Sequence, residues 1–333
     1  MKFLLTLFTL GLLSLTSGAY AQNTLQIGYF NEWPLPAHYG QTSGAYDEVL
    51  GAEAEWIAYN SSTAMFAALE TGDIQIALSQ GLVPFLLVAT AGLDFKLVDI
   101  AVSYPANENC FAHPDLRFSA TNTAVLNGAT IALAIGTTSH FNLNRTLTRF
   151  GIDPASVELI NMPPAQAAAA LKQGKVDIAC GWGPALATLQ DFGTLLLDND
   201  GKAGLGIKNY DTIVIRSSFG ADNPTVVAKF LNVTGALNAA YTANPARMIP
   251  SIAAPLNMFD STVTASMQGF EFPSITAKLG EDWLGGGVQT HMKQLADFFV
   301  ILGTMDKSLD SYTDVVDVTY LQTAANLPLI AAE

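Results

Sequence analysis

The chain has 333 residues, with 15 Lys or Arg side chains against 29 Asp or Glu, which gives a formal net charge of −14. This acidic balance argues against binding to nucleic acid or to an anionic membrane surface, because both are densely negative. The length suggests two domains, and a charged content of only 13% favours a compact fold over a disordered chain.

Residues 1–21 have the three parts of a secretory signal peptide. Met1-Lys2 is a short basic start, residues 3–13 are mostly apolar, and Ala19-Tyr20-Ala21 is a small-x-small cleavage site. We therefore predict export and cleavage after Ala21, with a mature chain that starts at Gln22. The less favoured alternative is a retained anchor, since the apolar run is too short to span a bilayer.

An internal repeat organises the next part of the chain. Residues 55–81 and 157–183 match without gaps, and Gly72 aligns with Gly174. Each copy has the pattern strand, helix, glycine stop, strand, turn, and the helices are expected at residues 62–71 and 164–173. The shared glycines favour a structural repeat over a coincidence between two ordinary βαβ units.

The repeat extends backward to two short strands, at residues 25–30 and 130–135. Each strand is followed by a loop, at residues 31–34 and 136–139 respectively. Ligands in open α/β sheets bind beyond the carboxyl ends of the strands. Two such units that face each other would form a clamp, with one of these loops on each wall.

The turn at residues 136–139 (GTTS) joins an apolar strand pattern to a helical pattern that starts at His140. The first N–H groups of a helix lack partners and its dipole attracts negative charge, so this hydroxyl-rich turn predicts an anion site. The alternative is that Thr137, Thr138 or Ser139 serves only as a helix N-cap.

Two cysteines, Cys110 and Cys180, predict a disulfide, because an exported chain meets an oxidising compartment and the count is even. The alternative is two buried free thiols. The histidines are scattered without metal-ligand spacing, so we expect no metal and no cofactor.

The rest of the chain changes from short strands to helices. Strand patterns occur at residues 96–104, 110–113, 194–197 and 212–216, a loop at 198–201, and helical patterns at 224–244, 261–269 and 288–302. We expect the chain to cross between the lobes near residues 104–105 and 209–212. Both crossings should join strand to strand, which would make a short, stiff hinge.

Several of these segments resemble a known family. They are residues 136–141 (GTTSHF), 158–164 (ELINMPP), 174–179 (GKVDIA) with 182–185 (WGPA), and 31–34 (NEWP) with Gln80-Gly81. They are similar to segments of the periplasmic solute-binding proteins of ABC importers, in the nitrate/sulfonate/taurine group, and to taurine-binding proteins in particular.

The resemblance implies an α/β, two-lobed periplasmic-binding-protein fold of type II (Venus flytrap) with two hinge crossings. Lobe 1 would comprise residues 22–104 and 213–333, and lobe 2 residues 105–212. It further implies a monomeric periplasmic protein that captures taurine or a related amino-sulfonate and delivers it to an ABC permease in the inner membrane. Such a protein is not an enzyme.

The resemblance also implies roles for individual residues. Thr137 and Thr138 would hold the sulfonate, Trp182 would line the pocket, and Asp211 would face the amine. From their positions alone, other residues could join them, with Glu108 as a substitute for Glu32 at the ammonium. The full expected ligand-binding set is Glu32, Trp33, Gln80, Glu108, Asn109, Thr137, Thr138, Ser139, Trp182 and Asp211.

Alternatives stay open for both the residues and the function. Trp33 and Trp182 could be buried structural side chains, Glu32 could be solvated, and Asp211 could cap a turn. The ligand could be another small zwitterion or an alkyl-sulfonate. The protein could also be a periplasmic sensor or an enzyme on the same fold, but His140 beside Thr138 and Ser139 shows no triad pattern.

Overall fold

The structure is a computed structural model that describes residues 24–31 and 33–328. The predicted signal peptide and Glu32 lie outside the described residues. The strands in chain order are β1 (Thr24–Phe30), β2 (Glu53–Tyr59), β3 (Ile76–Gly81), β4 (Phe95–Ser103), β5 (Glu108–Ala112), β6 (Thr130–Leu133), β7 (Glu158–Asn161), β8 (Ile178–Trp182), β9 (Thr194–Leu195) and β10 (Tyr210–Arg216).

Helices surround the strands and fill the C-terminal third. They are α1 (Pro36–Ser43), α2 (Ala45–Leu50), α3 (Ser62–Thr71), α4 (Leu82–Thr90), α5 (Thr138–Arg149), α6 (Pro164–Lys172), α7 (Ala185–Phe192), α8 (Asn199–Gly204), α9 (Ser217–Asp222), α10 (Pro224–Ala243), α11 (Pro245–Leu256), α12 (Asp260–Met267), α13 (Ile275–Lys278), α14 (Gly287–Ile301) and α15 (Thr319–Ala325). Within the described ranges, none of these helices has the length and apolar character needed to cross a membrane.

The strands form two five-stranded sheets with the same internal plan. The first has the order β2-β1-β3-β10-β4 and the second the order β7-β6-β8-β5-β9. In each, a parallel trio (β2-β1-β3 and β7-β6-β8) is flanked by an antiparallel strand that arrives from elsewhere in the chain. The repeat predicted from the sequence is therefore a repeat of topology, with α3 and α6 at equivalent places.

The two sheets bury separate cores. The first packs against the C-terminal helices, whose buried side chains include Leu231, Ile252 and Leu295. The second has an apolar cluster built around α6 and α7 and another around α5. Helix α14 also reaches the second unit, where Phe298 meets Phe141 of α5 with ring centroids 5.1 Å apart.

The predicted disulfide is present. Cys110 on β5 and Cys180 on β8 stand directly opposite each other in the antiparallel register and are bonded. The bridge thus joins two neighbouring strands in the middle of the second sheet.

Two local predictions were wrong, and one helix was not predicted. Residues 198–201 form the start of α8, because Asp198 caps the helix through a 2.8 Å hydrogen bond from the Gly201 N–H. The second crossing, before β10, therefore joins a helix to a strand. Helix α11 was not predicted, because it contains Pro250 and Pro255, and proline normally disfavours a helix interior. Pro245, in its first turn, is at a position where proline is tolerated.

Candidate functional site

A cavity of about 540 Å³ lies between the two sheets. Phe30, Gly81 and Trp182, the last residues of β1, β3 and β8, line it, so it sits beyond the carboxyl ends of parallel strands from both sheets. This is where the sequence predicted the ligand clamp.

Helix N-termini converge on this cavity. Its described lining includes the beginnings of α3, α4, α5 and α7, represented by Ser62, Gly81, Thr138 and Gly183. Of these four helices, α4, α5 and α7 have no side-chain cap. The first N–H groups of each helix lack intrahelical partners, so they supply donors and positive dipole ends to the same space.

The turn before α5 shows why the N-cap interpretation is insufficient. Thr137 occupies the N-cap position, but its hydroxyl donates to the Ala134 carbonyl at 2.7 Å instead of accepting a bond from the helix. Thr137 and Thr138 both line the cavity. The first turn of α5 is therefore open to an acceptor in the cavity.

Asp211 brings a buried carboxylate to the cavity wall. Its Oδ2 accepts a 2.7 Å hydrogen bond from Ser79 Oγ, and its Oδ1 accepts one of 2.9 Å from the Tyr104 hydroxyl. Burial raises the pKa of Asp211 to about 6, against the opposing effect of the hydrogen bonds from Ser79, Tyr104 and Trp33. The carboxylate is thus held in place by hydrogen bonds, but no cationic side chain of the described cavity lining balances its charge.

Ser79 adopts an unusual backbone conformation to make this contact. Its φ is +64°, in the left-handed region that non-glycine residues seldom occupy. The register between β10 and β3 also shifts close by, at Thr212/Ile213. Strained residues of this kind cost on the order of 1–3 kcal/mol and cluster at functional sites.

Glu108 provides a second buried carboxylate, 7% exposed. Its Oε1 accepts hydrogen bonds from Asn142 Nδ2 at 2.7 Å and from Asn209 Nδ2 at 3.3 Å. Burial raises the pKa of Glu108 to about 7, so at neutral pH this group lies near its titration midpoint. Lys202 donates to the backbone carbonyls of Pro105 and Glu108, both at 2.8 Å, and thereby anchors the first crossing.

Aromatic side chains close the cavity between the two sheets. Trp33 packs edge-on against Tyr104 and Phe270, with ring centroids 5.3 and 4.9 Å away. A Cβ added to Gly183, in the turn after β8 of the second sheet, would lie 3.6 Å from the Trp33 ring. Trp33 is therefore both buried and part of the cavity wall, and Trp182 lines the opposite side.

Six of the ten predicted residues line the cavity: Trp33, Glu108, Thr137, Thr138, Trp182 and Asp211. Glu32 lies outside the described residues. The structure places the remaining three, Gln80, Asn109 and Ser139, outside this cavity.

Each of these three side chains points elsewhere for a local reason. Gln80 and Asn109 are strand residues beside Gly81 and Glu108, and neighbouring strand side chains point to opposite faces. Gln80 donates instead to Met65 Sδ at 2.8 Å, and Asn109 to the Ala106 carbonyl at 2.7 Å. Ser139 is only 2% exposed and lines a separate small pocket within the second unit, together with Asn109.

The sequence did not predict Ser79, Asn142 or Asn209 as site residues. Each supports a carboxylate that lies far away along the chain, as in the Ser79–Asp211 pair, which is separated by 132 positions. A serine next to Gln80, at the end of an otherwise apolar strand, is the one local clue, and it is weak.

The charges of the described lining are one-sided. They include Glu70, Glu108 and Asp211 and no Lys, Arg or His. In the described part of the chain, no group of three or more His, Cys, Asp or Glu residues could hold a metal ion. A ligand anion would therefore meet helix N-termini and hydroxyls, and a ligand cation would meet carboxylates. The donor groups and the carboxylates together suit a small zwitterion.

Comparison with known proteins finds similarity to periplasmic binding proteins. The chain is 28% identical over 210 residues to the taurine-binding periplasmic protein of Escherichia coli, and the match covers 63% of this chain and 64% of that relative, just under two thirds of its length. The solved structure of the periplasmic aliphatic sulphonate binding protein SsuA from Escherichia coli superposes with a TM-score of 0.71, at 20% identity, over 86% of this chain and 95% of that one.

The same fold also carries catalysis. The desulfurization enzyme DszB superposes with a TM-score of 0.68, at 15% identity, over 91% of this chain and 99% of the enzyme. At these identities the solved structures establish the fold alone, and they confirm the predicted two-lobed periplasmic-binding architecture. Residues 40–248 match the family model described as NMT1/THI5 like, and the chain belongs to the NMT1/THI5-like family.

Proposed function

We propose that this protein is a periplasmic solute-binding protein that captures taurine or a closely related amino-sulfonate and delivers it to an ABC permease. The observation that carries the proposal is the pairing, in one cavity, of uncapped helix N-termini with the buried carboxylates Asp211 and Glu108. The match to a taurine-binding periplasmic protein supports the same ligand class.

The sulfonate is assigned to the first turn of α5, beside Thr137 and Thr138. A sulfonate is permanently ionised and spreads its charge over equivalent oxygens, so several N–H and O–H donors can hold it without a counter-ion. The backbone N–H groups of this turn and the Thr138 hydroxyl are the donors proposed here.

The ammonium is assigned to the carboxylate side of the cavity. Asp211 is the principal partner, Glu108 the second, and the faces of Trp33 and Trp182 supply π-electron density. An ammonium there would lower the pKa values of both carboxylates, because it stabilises their charged forms.

Capture would proceed by closure of the two lobes, with residues 22–104 and 213–333 on one side and 105–212 on the other. The short crossings before β5 and β10 would act as the hinge. A ligand that touches both walls favours the closed form by its additional contacts there.

A second candidate is an enzyme, favoured by the structural likeness to the desulfurization enzyme DszB. A thermal-shift screen of the purified protein against sulfonates, amino acids and alkylamines tests both functions. Ligand at about 100 times its Kd should add about 2.7 kcal/mol to the unfolding free energy. We expect amino-sulfonates to be the strongest hits and to be recovered unchanged by mass spectrometry. A desulfonated product would favour the enzyme, and no sulfonate hit would refute the proposed ligand class.

A further inference from the structure

The cavity has an apolar arm that taurine would leave empty. Its volume of about 540 Å³ lies within the roughly 300–1,000 Å³ range typical of pockets for drug-sized ligands. Taurine, an ethane chain with a charged group at each end, would fill only a small part of it.

The arm is a groove between α3 and α4 of the first unit. On α3 it is lined by Phe66, Ala67 and Glu70, which recur at the spacing of one helix face. Phe66 is 4% exposed and stacks on Phe95 of β4, with ring centroids 5.7 Å apart, so it forms a rigid floor.

The facing wall comes from the strongly apolar helix α4. Val83, Pro84, Leu87 and Val88 line the groove, again at the spacing of one helix face, and Leu93 in the loop after α4 adds to the lining. Leu87 is 45% exposed, so part of this wall is in contact with water. A ligand tail in the groove would remove this surface from water.

Lobe closure would not abolish the groove. All of its apolar residues belong to α3, α4 and the loop that follows, and rigid-body closure moves the lobes without changing the packing inside one lobe. The groove begins at the carboxylate site: a Cβ added to Gly81 would lie 3.5 Å from Pro84 and 3.9 Å from Asp211 Oδ1.

We propose that the ligand is an amino-sulfonate whose nitrogen carries an apolar substituent, and that this substituent lies in the groove between α3 and α4. The inference rests on the proposed function and deepens it. The order sulfonate, ammonium, apolar tail in such a molecule matches the α5 turn, the Asp211 carboxylate and the groove that starts beside it.

Calorimetric titration in phosphate buffer, which avoids sulfonate buffers, tests the proposal with three compounds. Taurine has no tail, N-cyclohexyltaurine has an apolar one, and N-hydroxyethyltaurine has a polar one. Each fully buried CH₂ group strengthens binding about fourfold. Even a partly buried cyclohexyl ring should therefore bind at least about tenfold more tightly than taurine, and the hydroxyethyl compound should not share this gain.

Two matched variants locate the tail. Ala67→Phe should fill the groove and abolish most of the gain in affinity of N-cyclohexyltaurine over taurine. Ala64→Phe, on the same helix and exposed but outside the cavity, should preserve the gain.

Taurine binding without a gain for the cyclohexyl compound would overturn the tail subsite and leave the proposed function standing. An equal gain in both variants would also overturn it, because the tail would then lie elsewhere. Binding of none of the three compounds would overturn both proposals.

Discussion

The replacement of Asp211 by Asn tests how the protein distinguishes an ammonium from a hydroxyl. Isethionate is taurine with a hydroxyl in place of the ammonium. In the wild type it should bind more weakly by about 2–5 kcal/mol, the typical penalty for losing a desolvated charged hydrogen bond, which is more than tenfold in Kd.

Asp211→Asn should remove most of this discrimination and leave the fold intact. In the wild type, Ser79 and Tyr104 each donate a hydrogen bond to one of the two carboxylate oxygens of Asp211. Asn has the same shape as Asp, and its amide can retain hydrogen bonds to both residues. The fold should tolerate the neutral side chain, because burial already disfavours the charge and raises the Asp211 pKa to about 6. Taurine affinity should fall toward that of isethionate, whose own affinity should change little.

The assay is calorimetric titration of both ligands at pH 7.5, with Asp191→Asn as the control. Asp191 is exposed on α7, outside the cavity, and its replacement changes the net charge by the same amount. Equal affinities for taurine and isethionate in the wild type would refute the amine assignment. An unchanged ratio in Asp211→Asn would move the ammonium to Glu108.

Three other predictions follow from the same structure. Taurine affinity should fall as the pH is lowered from 7.5 to 5, by up to tenfold per pH unit for each required carboxylate. The reason is that Asp211 and Glu108, with pKa values of about 6 and 7, bind protons that the ligand must displace. Isethionate affinity should change little over this range, and a taurine affinity that does not depend on pH would contradict the assignment. Denatured, unreduced protein should show no reactive thiol, and loss of the Cys110–Cys180 bridge should destabilise the fold by roughly 4 kcal/mol in the chain-entropy model; two titratable thiols would be inconsistent with the bridge. Small-angle scattering should give a smaller radius of gyration with saturating ligand, and an unchanged radius would speak against lobe closure.

Lowering the pH should stabilise the fold of the ligand-free protein, whereas it should weaken taurine binding. Burial raises the folded-state pKa of Glu108 to about 7, above the ordinary value of 4.5, so the folded protein holds this proton more tightly than the unfolded chain does. Unfolding free energy should therefore decrease as the pH rises from about 4.5 to 7, and Glu108→Gln should flatten that slope.

The α5 turn could be predicted from the sequence, because the residues that form it are close together in the chain. A strand, a flexible Gly136, hydroxyl residues and a helix start lie within a few positions of one another, and the structure assembles them in the same order. The repeat could also be predicted from the sequence, because the shared glycine and alanine positions mark equivalent helices and strands.

The carboxylate side was only partly predictable, because tertiary contacts create it. Nothing in the sequence places Ser79 in the left-handed region or aims its hydroxyl at Asp211. The amides of Asn142 and Asn209 meet Glu108 only after α5 and the second crossing have packed against β5. The groove between α3 and α4 could not be predicted from the sequence either. An apolar stripe such as that of α4 normally indicates a buried core.

A structure of the protein crystallised with taurine would test the central claim most directly. The proposal predicts the sulfonate within about 3 Å of the first-turn N–H groups of α5 and the ammonium within about 3 Å of the Asp211 or Glu108 carboxylate. A ligand bound in the reverse orientation, or outside the cavity between the two sheets, would contradict it.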